Sequence, residues 1–251
     1  MLYNTHVIIN ILLTGCIVPN TDDVLAVKDI NIRKNQYIEA IQWYIDNTPY
    51  HITFCENSDN DISSNFNKYT DRVEFLTYKS NPVFPDLGKG YKEMEILEFA
   101  YKNSKFLKVC DVIVKGTGRL ILKNIVQIIN SLKVEKHKDF ISSWLSLKIR
   151  TTDRRFFMCS PSFLEYFLTY KKYINKHSNF EDNLACSIYQ RDTKKYKFIY
   201  PSLWYNIDGI GGGYGTIYNI TKCEYRRLCL KNTIYRICFH LGYIPQKSLK
   251  Y

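Results

Sequence analysis

An α/β sandwich on a mostly parallel sheet, followed by a basic helical segment, is the fold class that three features of this chain predict. Apolar runs of strand length alternate with segments of helical periodicity from residue 6 to about residue 190. Glycine and polar residues gather at the carboxyl ends of those runs, where sheets of this kind bind ligands. After residue 220 the pattern changes to aliphatic and aromatic residues interleaved with Arg and Lys. Residues 1–220 therefore form one expected domain, and residues 221–251 a basic amphipathic appendage.

Each element has its own signal. His6 to Leu13 is an apolar run read as the first strand, with Gly15 turning the chain beyond it. Tyr37, Ile41 and Tyr44 recur at helical spacing within residues 33–46. His51 to Cys55 and Val73 to Tyr78 are short β-rich runs, and Cys110 to Val114 is a fourth. A Pro-containing loop at 82–87 leads into a helix near 91–103, and a further helix spans 124–132. Strands are expected near 141–148 and 154–159. Pro161 suits the first turn of a helix reaching about residue 174, and another helix covers 180–190. Residues 196–218 join aromatics to a glycine cluster, which suits either a packed aromatic segment or a closing loop.

Composition narrows the partners. With 251 residues and 45% hydrophobic content the chain has ample material for a core, and no run of about 18 uncharged apolar residues suggests a spanning helix. Leu13-Thr14-Gly15-Cys16 has the spacing of a lipoprotein cleavage box, but residues 1–6 carry no Lys or Arg and Asn10 interrupts the apolar stretch, so a buried strand is the preferred reading. The eight cysteines form no CxxC pair and sit mostly among apolar neighbours, which points to reduced core thiols, a cytoplasmic setting and no structural zinc. A net charge of +11 calls for an anionic partner. Nucleic acid is disfavoured by the absence of any RNP, zinc-finger or helix-turn-helix pattern, whereas an anionic membrane surface explains the charge equally well.

The stretch GKGYKEMEILEFAYKNSKFLKVCDVIVKGTGRLILKN, residues 88–124, holds the densest chemistry. A Gly-Lys-Gly turn opens a helix, and a Gly-Thr-Gly-Arg turn follows the next strand. Lys89, Gly90, Lys115, Thr117, Gly118 and Arg119 thus put backbone N–H groups and cations where a phosphate would bind. Thr14 and Gly15, and Glu56, Asn57 and Ser58, end the first two strands and are expected to share that cleft. Each turn alone is also explained as a loop that satisfies its own backbone. Asp59 and Asp61 are read as solvated loop acids. Arg33, Arg154 and Arg155 are read either as substrate contacts or as surface residues.

Taken as an ordered set, LLTGCIVPN, the Arg33 and Gln36-Tyr37 segment, FCENSDNDI, LGKGYKEMEILEFA, VIVKGTGRLI and HSNFEDNL resemble bacterial sugar transferases of surface polysaccharide synthesis with a GT-A-like, Rossmann-type fold. The resemblance covers about residues 6–190. It implies a glycosyltransferase that takes a nucleotide-sugar donor and a glycan or lipid-linked glycan acceptor, on the cytoplasmic side or peripherally on the membrane's inner face. Thr14, Gly15, Arg33, Glu56, Asn57 and Ser58 would hold the donor together with Lys89, Gly90, Lys115, Thr117, Gly118 and Arg119. Glu181-Asp182 resembles the Glu-Asp pair at a helix start, with Asp182 as the base of an inverting reaction and Glu181 orienting the acceptor. The same residues, after Ser178, also make a capping box. The chain lacks the family's Asp-x-Asp: Lys115 to Arg119 stand in that place, so protein cations could hold the diphosphate, with a divalent ion (Mg or Mn) compatible but not required. Two other classes stay open, a basic nucleic-acid-binding module and a sugar nucleotidyltransferase. The latter's Gly-rich, Lys/Arg-bearing loop is not evident in TGCIVPNTDD.

Overall fold

The computed structural model of the chain describes residues 7–19, 25–133, 138–146, 151–212 and 215–243. In chain order the elements are β1 (Ile9–Gly15), α1 (Ile30–Asn47), β2 (His51–Glu56), a 3-10 segment (Ser63–Tyr69), β3 (Val73–Thr77), α2 (Lys89–Asn103), β4 (Val112–Thr117) and β5 (Ile121–Leu122). There follow α3 (Ile125–Leu132), β6 (Phe140–Ser142), β7 (Phe156–Cys159), α4 (Pro161–Leu168) with a 3-10 extension (Thr169–Tyr173), and α5 (Phe180–Gln190). The last are β8 (Lys197–Phe198), β9 (Ile207–Ile210), β10 (Ile217–Tyr218) and α6 (Lys222–His240).

Seven strands form one sheet in the order β3-β2-β1-β4-β7-β6-β8. The pairs β3-β2, β2-β1, β1-β4 and β6-β8 are parallel, and β7 runs antiparallel to both neighbours. This is the mostly parallel α/β sandwich expected from the sequence. Alternation along the strands sends side chains to two cores. Leu12, Ile113 and Phe157 pack against α2, α4 and α5, while Ile11, Leu13, Val112 and Val114 pack against α1 and α3. Helices on both faces explain why these strands are apolar on both sides. The chain winds outward from β1 to β3 and returns to β4 on the opposite flank of β1, so the loops after β1 and β4 diverge and open a crevice.

Local chemistry sets the helix starts. The Asp29 carboxylate accepts from Ile32 N at 2.9 Å and begins α1, and Ser160 with Pro161 at the first position begins α4. At α5 the cap is Asn179, whose Oδ1 accepts from Asp182 N at 2.8 Å; Ser178, the expected cap, instead accepts from the Asn183 amide. The run expected as a strand over 141–148 is shorter. Phe140–Ser142 pairs, Leu145 forms an isolated bridge with Thr152, and 147–150 lie outside the described residues.

The aromatic segment is packed. Tyr196, Phe198, Tyr200 and Tyr205 are buried, and β9 joins β5 and β10 in a small antiparallel sheet. The C-terminal helix leans on it, with the Phe239 ring 4.8 Å from Phe198 and buried Asn232 donating to Pro201 O at 2.8 Å. Among the described residues no helix is long and apolar enough to cross a membrane. All eight cysteines are free thiols, and burial pushes that of Cys110 up to about 12.

Candidate functional site

The crevice between the loops after β1 and β4 is a cleft of about 660 Å³. Strand ends supply Thr14, Gly15, Asn57, Ser58 and Thr117 to its wall, so five residues expected there from the sequence do meet. Its charge is one-sided: among the described residues, Arg33, Lys79, Lys89, Lys92, Arg119 and Arg154 line it against a single carboxylate, Glu93.

Even that carboxylate is neutralised from behind. Lys115 shares the face of β4 that carries Ile113, so its stem runs under α2 and its ammonium meets Glu93 Oε1 at 2.6 Å with 1% of the side chain exposed. The ammonium also donates to Arg154 O at 2.9 Å, and the Thr14 hydroxyl donates to Glu93 Oε1 at 2.6 Å. Burial opposes ionisation of Glu93, but Lys115 and Thr14 outweigh it and hold the carboxyl below its usual value. Lys115 therefore does not line the cleft: its charge is spent on Glu93.

The two glycine turns work by packing. A Cβ on Gly118 would lie 2.8 Å from Thr14 O, and on Gly15 2.6 Å from the Phe54 ring, so both let the strand ends close on Tyr37 and Phe54. The N–H groups expected to face phosphate are occupied: Gly118 donates to Thr14 O and Thr117 to Arg155 O. What the Gly-Thr-Gly-Arg turn delivers to the cleft is the Arg119 side chain. Gly90 lies outside the cleft, where a Cβ would meet Phe180 N at 3.0 Å, so it sets the approach of α2 to α5.

Two further residues from the sequence act as braces. Glu56 is fully buried and accepts from Ile17 N (2.8 Å), Ser58 N (2.9 Å), Asn60 N (3.0 Å) and the Ser58 hydroxyl, which ties the loops after β1 and β2 together. Arg33 donates to the carbonyls of Ile17 (3.0 Å), Val27 (3.3 Å) and Cys16, and burial lowers its pKa. Arg119 is less committed. Its Nη1 donates to Gln36 Oε1 at 3.1 Å, its Nε is buried with no hydrogen-bond partner, and its guanidinium lies 5.7 Å from the Tyr37 ring centroid. Asn57 Oδ1 is likewise buried without a partner. Such orphaned polar atoms at a cleft wall are groups a ligand could satisfy.

The start of α5 stands at the rim. Glu181 pairs with the Arg154 guanidinium at 3.1 Å, and its second oxygen is buried without a partner. Asp182 takes a hydrogen bond from the Thr151 side chain. Burial raises the pKa of both carboxyls, opposed at Glu181 by Arg154 and at Asp182 by Thr151. Neither lines the cleft; Arg154 is the link between them and it.

Sequence reasoning missed Glu93, Lys79 and Lys92. The signal for two of them was present, since Lys89, Lys92, Glu93 and Ile96 fall on one face of α2 at spacings of three and four. Among the described residues no group of three or more His, Cys, Asp and Glu could hold a metal ion. Asp61 spends its carboxylate on Ser63 N (2.7 Å) and the Ser63 hydroxyl (2.9 Å).

No family model matches the chain, and no curated protein matches it. Among solved structures it is similar to a 4-diphosphocytidyl-2C-methyl-D-erythritol synthase from Anaerococcus prevotii DSM 20548, with TM-score 0.45 and 11% identity over 94% of this chain and 99% of that one. It is also similar to the glycosyltransferase GlyE of Streptococcus pneumoniae TIGR4, with TM-score 0.45 and 8% identity over 77% of this chain and 45% of that one. A third is a glycosyltransferase involved in glycosylation of the major capsid of PBCV-1, with TM-score 0.44 and 9% identity over 78% of this chain and 84% of that one. The chain spans less than half the length of the pneumococcal protein.

Proposed function

We propose that the chain is a glycosyltransferase that moves a sugar from a nucleoside-diphosphate donor to a hydroxyl of a glycan or lipid-linked glycan in surface polysaccharide synthesis, at the cytoplasmic face of the membrane. The observation that carries this reading is the cleft's charge: six cations and one paired carboxylate at the point where the strand order reverses. A leaving diphosphate gains negative charge as its bond to the sugar breaks, and fixed cations in a partly water-excluded cleft stabilise that charge. Thr14, Gly15, Asn57 and Ser58 form the wall for the nucleoside, and Lys89 and Arg119 face the diphosphate. A divalent ion, if bound, would shield the same phosphates.

In this scheme Asp182 is the base and Glu181 orients the acceptor. The acceptor oxygen attacks the anomeric carbon, the diphosphate departs with the bonding pair, and the hydroxyl proton passes to Asp182, so the configuration inverts. The upward shift that burial gives Asp182 makes its carboxylate a better proton acceptor at neutral pH.

Thermal-shift measurements with UDP-, GDP- and dTDP-sugars, with and without Mg or Mn, test the reading: at least one should stabilise the protein. If none does, the reading fails. The cations suit a triphosphate equally, so stabilisation only by a nucleoside triphosphate, with pyrophosphate released from that triphosphate when a sugar phosphate is added, would instead establish a nucleotidyltransferase. Asp182→Asn should lower kcat by about 10²–10⁴ while leaving donor binding intact. The acid limb of the wild-type kcat/KM profile should lie above the usual Asp value of 3.8. Retained turnover in the variant rules Asp182 out as base.

A further inference from the structure

The outward face of α6 is a second amphipathic surface that the fold leaves uncovered. At 3.6 residues per turn, Asn232, Tyr235 and Phe239 fall on one side of this helix and pack inward, Tyr235 against Trp144 and Phe239 against Phe198 and Tyr200. Leu230, Ile234, Ile237 and Leu241, spaced four, three and four, fall on the opposite side and are 65%, 51%, 52% and 81% exposed. The helix is thus apolar on two faces, although the sequence alone suggested one.

The flanks of the outer stripe are basic. Arg226 borders one side, Arg227 and Lys231 the other, and all three are exposed. The acidic residue of α6, Glu224, sits in the first turn, where it is engaged in the capping box with Thr221. Past the helix, Tyr243 is 53% exposed and presents an amphipathic ring.

We infer that this face docks on an anionic lipid surface, with Leu230, Ile234, Ile237 and Leu241 entering the acyl boundary and Arg226, Arg227 and Lys231 meeting lipid phosphates. Charge complementarity selects this occupant. A second copy of the chain seated on the stripe would bring basic flanks against basic flanks, which is repulsive without acidic partners. A stripe about 16 Å long is enough for reversible binding but too short for a spanning segment, so the cations decide whether the helix stays bound. The inference deepens the proposed work at a membrane face but rests on α6 alone.

Vesicle co-sedimentation of the full chain tests it, comparing phosphatidylcholine with phosphatidylcholine containing phosphatidylglycerol. The protein should bind the anionic vesicles and release them in high salt. Charge reversal (R226E, R227E and K231E together) should weaken partition roughly 100-fold at about fivefold per cation. The variant L230S, I234S and I237S should lose binding to a similar degree; the altered side chains are largely exposed, and an unchanged thermal midpoint will show that the fold survives. Equal binding by either variant, no binding by wild type, or a concentration-dependent dimer in light scattering that the serine variant abolishes would each overturn the inference. A failed nucleotide panel with intact vesicle binding would reject the transferase reading and leave this one standing.

Discussion

Lys115 carries a charged ammonium to 1% exposure, and Glu93 is what makes that burial tolerable. Removing one partner of such a pair leaves an uncompensated charge, so Glu93→Gln should cost about 3 kcal/mol and lower Tm by roughly 6–12 °C. Adding Lys115→Met should recover most of that loss. Because the Glu93 carboxyl is held below its usual value, its contribution is present above the ordinary Glu range and lost as pH falls through the depressed value. Thermal unfolding against pH should show that acid limb in the wild type and not in the double variant; an unchanged Tm in Glu93→Gln would refute the pairing. The residue scale was only partly legible. Thr14, Asn57, Ser58, Thr117 and Arg119 could be placed because strand ends converge. Lys115 could not, because its neighbour Glu93 lies 22 positions earlier, on a helix whose packing face is set only in three dimensions.

At the scale of elements, the contact between α2 and α5 governs where the two carboxylates stand. Gly90 allows it, with Phe180 N, Phe180 Cβ and the Ile174 side chain all within 3.3 Å of where its Cβ would be. Gly90→Ala should push α5 outward, cost about 1–3 kcal/mol, and lower transfer more than donor affinity, since Glu181 and Asp182 ride on α5. Equal loss of both, or of neither, would separate α5 from the chemistry. Long helices with clear caps and apolar spacing were readable within a few residues. The two-residue strands β5, β8 and β10 were not, because runs so short carry no periodicity and exist only through their partners. The aromatic segment 196–218 was ambiguous for the same reason: Tyr and Trp bury wherever space is offered.

For the whole molecule, basic residues gather at two places, an inward cleft and an outward helix. Screening differs with ionic strength, so affinity for inorganic pyrophosphate should weaken about tenfold between roughly 10 mM and 200 mM salt, and calorimetry would read it. Salt-independent binding would mean that the cleft's cations do not set affinity. Topology adds a matter of timing. Gly212 lies against the Arg119 guanidinium, and β9 pairs with β5, although Gly212 lies 93 positions after Arg119. On the ribosome β1 to β4 emerge before β9 and can pair in order of synthesis, yet the wall behind Arg119 is absent until residues 207–212 appear. The strands around β1 can therefore assemble before the wall behind Arg119 closes, and that guanidinium meets Gly212 late in the order of synthesis.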